Sequence, residues 1–181
     1  MMTTTKNILA FGASNSSNSI NQTLAAYAAS LVDGAEVNLI NISDFGSALY
    51  SEDREKASGI PEEAQRFYQL IGEADAVIVS FAEHNGSYTA AYKNLFDWTS
   101  RINMQVFQNK PVVYLATSPG PGGAQSVLAA ATGSAPYFAA NVKASVSIPS
   151  FYDNFDMQSQ TITDGTLADQ LSSAVAQLLI E

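Results

Sequence analysis

An α/β fold, a parallel sheet covered by helices on both faces, is predicted from two features of the chain. Short apolar runs recur five times, and stretches of helical period separate them. The predicted strands are residues 7–11 (NILAF), 36–42, 76–81 (AVIVSF), 112–117 and 142–148. Of these, 76–81 is uninterrupted and β-branched, as a strand buried on both faces should be. Helical spacing runs through Leu24, Ala28, Leu31 and Val32. Pro61, a good first-turn residue, opens a helix presenting Ala64, Phe67 and Ile71 on one face. A helix over 90–102 carries a core stripe of Ala91, Leu95, Trp98 and Ile102. Its second apolar stripe, Tyr92 and Phe96, is available for a subunit interface. Another helix starts near Gly123 and breaks at Gly133, because Pro136 cannot continue it freely. Leu167, Leu171, Val175 and Leu178 mark the last helix. The stretch 43–59 reads as a long, charged, turn-rich loop.

Five strands in 181 residues suggest one domain, 1–181, with the flavodoxin-like strand order 2-1-3-4-5. Ligands of such sheets bind beyond the carboxyl ends of the strands, at the switch between strands one and three. The loops that matter therefore follow Phe11, Phe81, Thr117 and Ile148. Composition narrows the chemistry. A formal charge of −9 argues against nucleic acid and anionic membrane surfaces as partners. Cysteine is absent and His84 is the only histidine, which excludes disulfides, thiol catalysis and a multi-histidine metal site. The start, MMTTTKNILAF, is neither a signal peptide nor a membrane span, so a cytoplasmic protein is expected.

The first loop, GASNSSNSIN over 12–21, is packed with hydroxyls and amides and runs into a helix. Backbone N–H groups at a helix start, with Ser and Asn side chains, suit a phosphate. The same residues also serve as helix caps, although a cap needs only one of them. It is neither a Walker sequence nor a G-x-G-x-x-G. The second loop, from Phe81 to Trp98, contains the turn signal Asn85-Gly86 and leaves the central strand at the expected crevice.

These two segments resemble the NADPH-dependent FMN reductase family. Ser14, Ser19 and Asn21 match its G-S-x-R-x-x-S-x-N phosphate loop. Glu83, Asn85, Gly86, Ser87, Tyr88, Lys93 and Asn94 match its P-E-Y-N-G-S-Y-P-x-x-x-K-N segment. The chain departs from the pattern at Ala13 (Gly in the family), Ser16 (Arg), Ala82 (Pro) and His84 (Tyr). The resemblance implies bound FMN, reduced by NADPH or NADH, with Ser14, Ser16, Ser19, Ile20, Asn21, Glu83, His84, Asn85 and Gly86 at the cofactor. Glu83 also has a structural reading, as an acceptor for nearby backbone N–H groups. The loop 117–126 (TSPGPGGAQS) borders the flavin in that family, which adds Ser118, Gly122 and Gly123; a plain Pro/Gly turn explains it equally well.

In the fourth loop, Phe151, Tyr152 and Phe155 either wall an acceptor pocket or pack locally, and local packing is favoured. The resemblance further implies a small acceptor (quinone, free flavin, azo compound or oxyanion) and a homodimer or homotetramer. No catalytic side chain is expected, because hydride reaches a flavin without a protein base. Two alternatives stay open: a flavodoxin-type electron carrier, and a flavin-free interaction module.

Overall fold

The computed structural model describes residues 5–180. Five parallel strands form one sheet: β1 (Asn7–Ala13), β2 (Glu36–Leu39), β3 (Ala76–Phe81), β4 (Pro111–Thr117) and β5 (Asn141–Ile148). Their order is β2-β1-β3-β4-β5, the flavodoxin-like arrangement. The register pairs Phe11 with Val79, and Val79 with Tyr114. Every residue of β3 is buried, which is why its sequence is continuously apolar apart from Ser80.

The longer helices among the described residues are α1 (Ile20–Ser30), α2 (Glu52–Ser58), α3 (Glu62–Glu73), α4 (Ala90–Ile102), α5 (Gln125–Ser134) and α6 (Gly165–Ala176). The core divides along the sheet. On one side α1 and α6 bury Leu24, Ala28, Ala29, Leu171 and Val175 against Ile8, Ala10, Ile78, Val113 and Leu115. On the other, α3, α4 and α5 bury Phe67, Tyr92, Leu95 and Val127 against Phe11, Phe81 and Tyr114. Each such buried Leu, Ile, Val or Phe contributes about 1.5–3 kcal/mol relative to exposure.

Three expectations change. The second strand ends at Leu39 rather than 42, because the Asn41 side chain accepts from the Ser43 N–H and starts a 3-10 turn, Ile42–Phe45, that buries both its ends. The stretch 43–59 is not an open loop. It holds α2, capped by Ser51 and built from exposed charged residues, and it is strapped to α4. Asn94 accepts from the Tyr50 N–H and donates to the Ser47 and Ala48 carbonyls, and the Trp98 indole donates to Ala48 at 2.8 Å. Finally, Tyr92 does not stand on an outer stripe. It is buried in the core, in edge-to-face contact with Phe81 at 5.5 Å, and the Phe96 ring packs on Phe138 at 4.7 Å. Helix 90–102 packs on α3 and under the strap, so Tyr92 belongs to the core and only Phe96 of that stripe stays partly buried. No helix among the described residues is long and apolar enough to cross a membrane.

Candidate cofactor cleft

The first loop is set by how closely α1 approaches β1. A Cβ at Gly12 would collide with the backbone of Asn21 and Gln22, so only glycine permits this approach. The Gly12 N–H donates to Gln22 Oε1 at 2.7 Å, and Gln22 Nε2 donates onward to the Ile40 carbonyl. Ser19 is the N-cap of α1: its hydroxyl oxygen accepts from the Gln22 N–H at 3.2 Å, and its hydrogen remains free to donate. The next amides, Ile20 and Asn21, belong to the first turn, where helical N–H groups have no partner within the helix. Ser14 is buried and its Oγ accepts from the Ser16 N–H, which curls the loop over this end of the helix.

Asn21 has a different task from the one its motif suggests. Its side chain accepts from Ser80 Oγ at 2.7 Å and from the Thr117 N–H at 3.1 Å, and donates to the Thr117 carbonyl. One buried carboxamide thus ties the start of α1 to the ends of β3 and β4. It positions the loop, and its backbone N–H is the group left for a ligand.

Glu83–His84 and Ser87–Tyr88 pair as a two-stranded hairpin after β3. Asn85 and Gly86 both hold positive φ, 53° and 75°, the Asn-Gly turn that a two-residue hairpin favours. Thr89 caps α4 and donates to the Ala13 carbonyl at 2.8 Å, which fixes the hairpin to the first loop. Glu83 turns its carboxylate to the N-terminus of α5, accepting from the Val127 N–H at 2.9 Å. The N-cap position of α5 is Ala124, which has no capping side chain, so Glu83 supplies the missing acceptor from another element.

The loops after β4 and β5 are stitched together: the Phe151 N–H donates to the Ser118 carbonyl and the Ser150 N–H to Gly120. Phe151 and Phe155 stack at 4.8 Å and are buried, so local packing holds for them. Tyr152 is 63% exposed and stands at the rim of the cleft.

These loops enclose a cleft of about 230 Å3 at the carboxyl ends of β1, β3 and β4. Of the residues expected at the cofactor, the structure brings Ser14, Ser16, Ser19, Ile20, Asn21, Glu83, His84 and Ser118 together around it. Four expected residues lie outside it. Asn85 and Gly86 form the exposed hairpin tip, Gly122 is exposed beyond the rim, and a Cβ at Gly123 would clash with Ser147, so that glycine serves packing between β5 and α5. Asn18, Ala82, Thr117, Pro119 and Tyr152 also line the cleft. Thr117 was detectable as the last residue of a strand at the switch point; that Tyr152, edge-on to the buried Phe151 at 5.5 Å, stays exposed at the rim was not.

No Lys or Arg lines the cleft. Most of the eight cations are engaged elsewhere: Lys93 with Asp97, Arg101 with Glu55, Lys56 with Glu52, Arg66 over the Phe45 ring, and Lys6 and Lys110 on the Leu178 and Gly72 carbonyls. The only carboxylate in the cleft is that of Glu83, already bound to an amide. What remains is a ring of neutral hydroxyls and first-turn amides at the positive end of a helix, a donor set that fits a phosphate ester. Among the described residues no cluster of His, Asp or Glu fits a metal ion.

A family model described as NADPH-dependent FMN reductase matches residues 6–153. The chain is 37% identical over 117 residues to an NAD(P)H-dependent FMN reductase of Pseudomonas aeruginosa, covering 64% of this chain and 62% of that protein. It is 35% identical over 92 residues to a quinone reductase of Escherichia coli, covering 50% of this chain and 48% of that protein. In both cases the match spans less than two thirds of the relative. A flavoenzyme NAD(P)H:(acceptor) oxidoreductase of Paracoccus denitrificans superposes with a TM-score of 0.74 at 26% identity, covering 96% of this chain and 95% of that one.

Proposed function

The chain belongs to the NADPH-dependent FMN reductase family, and on that premise we propose that it is an NAD(P)H-dependent, FMN-containing reductase of a small acceptor. Quinones, free flavin, azo compounds and oxyanions are the acceptor classes. The observation that carries this reading is the cleft at the topological switch, lined by Ser14, Ser16, Ser19 and the first turn of α1 and lacking Lys and Arg. FMN, when bound, supplies the redox chemistry, accepting hydride from NADPH or NADH and passing electrons to the acceptor. The chain's own residues bind and orient. Hydroxyls of Ser14, Ser16 and Ser19 and the amides of Ile20 and Asn21 hold the phosphate; the hairpin carrying His84 and the loop carrying Ser118 border the ring. Asn21 and Thr89 keep these loops in register. No side chain is assigned a proton transfer, and His84 is a ring neighbour. Tyr152 stands where a nicotinamide or an aromatic acceptor would enter.

Titration with FMN tests the reading: flavin fluorescence is quenched on binding, and NADPH or NADH bleaches the bound flavin. Absence of binding at high micromolar FMN overturns it in favour of a flavin-free module. Binding without bleaching points instead to an electron carrier. Because one ring face serves donor and acceptor in turn, reciprocal initial-rate plots with NADPH and a quinone are parallel; intersecting lines demand a ternary complex. The reading includes a cytoplasmic homodimer or homotetramer. Light scattering giving the 19.2 kDa monomer at micromolar concentration overturns that part.

A further inference from the structure

All eight Lys and Arg residues lie among the described ones, and none stands at the cofactor cleft. Lys6, Lys110 and Lys143 sit at or just before the amino ends of β1, β4 and β5, the end of the sheet away from the cleft. Lys56, Arg66, Lys93 and Arg101 are held by Glu52, the Phe45 ring, Asp97 and Glu55, and Arg54 belongs to the exposed α2. The helix starts are committed as well. That of α1 faces the cleft. The Val127 N–H of α5 donates to Glu83 and the Leu167 N–H of α6 to Asp164, each at 2.9 Å, so carboxylates occupy both starts. The Tyr92 N–H of α4 donates to the Thr89 hydroxyl, and α3 opens with Glu62 and Glu63. At the rim of the cleft Tyr152 is followed by the exposed Asp153.

NADH and NADPH share one dihydronicotinamide and differ in a single group, the 2′-phosphate on the adenosine ribose. A phosphate monoester carries a charge of about −1.5 to −2 at pH 7. Sites that select it offer an Arg or Lys, or an unoccupied helix start. Once FMN holds the start of α1, neither is left around this cleft, and the formal charge of −9 opposes a further dianion. Resting on the reductase reading above, we propose that the chain selects its hydride donor by charge. NADH is the substrate, and NADPH is discriminated against because its 2′-phosphate meets no counter-charge, unlike the donor by which the family is described.

The test mixes protein saturated with FMN with each donor under anaerobic conditions and follows bleaching of the bound flavin. At an ionic strength of about 0.01 M, NADH is expected to react about tenfold faster than NADPH at equal low concentration. At about 0.1 M the Debye length contracts from about 30 to about 10 Å, and the ratio falls to about two- to threefold. The oxidised forms transfer nothing and read binding alone: NAD+ perturbs the spectrum of the bound flavin at concentrations about tenfold below those NADP+ requires at the lower salt. Arg54→Ala and Lys143→Ala leave both ratios unchanged. Equal use of the two donors, a preference for NADPH, or a ratio that salt does not alter overturns the proposal. So does a selective loss with NADPH in Arg54→Ala or Lys143→Ala, which assigns that cation to the 2′-phosphate, within one chain or across an oligomer. Bleaching by neither donor with FMN bound overturns the reductase reading itself, and this proposal with it.

Discussion

The two faces of the sheet are packed by opposite means. Against α1 the sheet residues Ile8, Ala10, Ile78, Val113 and Leu115 are small or aliphatic, the rings of that side (Phe151 and Phe155) lying after β5, and Gly12, Ala25, Ala28 and Ala29 bring helix and strand into direct backbone approach. That closeness delivers the first turn of α1 to the strand ends, where the cofactor cleft opens. Against α3, α4 and α5 the core is aromatic: Phe11, Phe67, Phe81, Tyr92, Phe107 and Tyr114 meet mostly edge-on. That side also holds a cavity of about 260 Å3 between α4 and α5. One sheet thus carries a polar cleft at its strand ends and an aromatic cavity on one face.

The largest test of this contrast is Phe81→Ala, which removes a ring touching Tyr88, Tyr92 and Tyr114. It should cost about 3–5 kcal/mol by urea unfolding; a loss below about 1 kcal/mol would mean the aromatic face tolerates gaps. Next comes alkaline pH. Tyr92 and Tyr114 stay protonated when folded but ionise near 10 once unfolded. The unfolded state then binds fewer protons, so stability falls as pH rises past about 10, by about 1.4 kcal/mol per unit for each phenol. The double Tyr→Phe variant should lose that slope, as urea melts between pH 9 and 11.5 would reveal.

On the other side, losing the Ser19 hydroxyl should weaken FMN by about 10- to 150-fold, from about 1.5–3 kcal/mol for a hydrogen bond to a charged group. Ser19→Ala also loses the helix cap, whereas Ser19→Gly loses only a few tenths of a kcal/mol of capping. Equal FMN weakening in both variants isolates the ligand contact, and wild-type affinity in either moves the phosphate elsewhere. Enlarging one alanine on each face compares the spacing directly. Ala28→Leu is expected to destabilise by about 1–3 kcal/mol, and Ala131→Leu, beside the cavity, by less than about 0.5. Matching losses would erase the distinction. The smallest effect is expected for Ser16→Arg, an exposed cation facing the phosphate: FMN tightens about two- to fivefold, only at low salt. Weaker binding would show that position 16 faces away.

Much of the fold was legible because strand and helix periods are local. All five strands and the limits of the helix over 90–102 follow from neighbouring residues. Helix Glu52–Ser58 was invisible because it buries nothing; its cap, Ser51, and the pairs Lys56–Glu52 and Arg101–Glu55 hold it without an apolar stripe. Tyr92 and Phe96 were legible as a stripe but not as to what covers it, since periodicity names a face and not its neighbour. In the cleft, the hydroxyls of the first loop announced themselves by density. The tie from Asn21 to Ser80 and Thr117 spans 59 and 96 residues and has no local sign. Glu83 was open to two readings, and its bond to Val127 favours the structural one.

The strap also gives the molecule an optical label. Trp98 is the chain's only tryptophan, buried, bonded to the Ala48 carbonyl and edge-on to Tyr50 at 4.9 Å. Its ultraviolet emission belongs to one small contact rather than to the whole core. Peeling residues 47–58 from α4 would wet the indole and shift that emission to the red while the sheet stays intact. Followed in urea beside far-ultraviolet circular dichroism, this single fluorophore separates detachment of the strap from collapse of the domain.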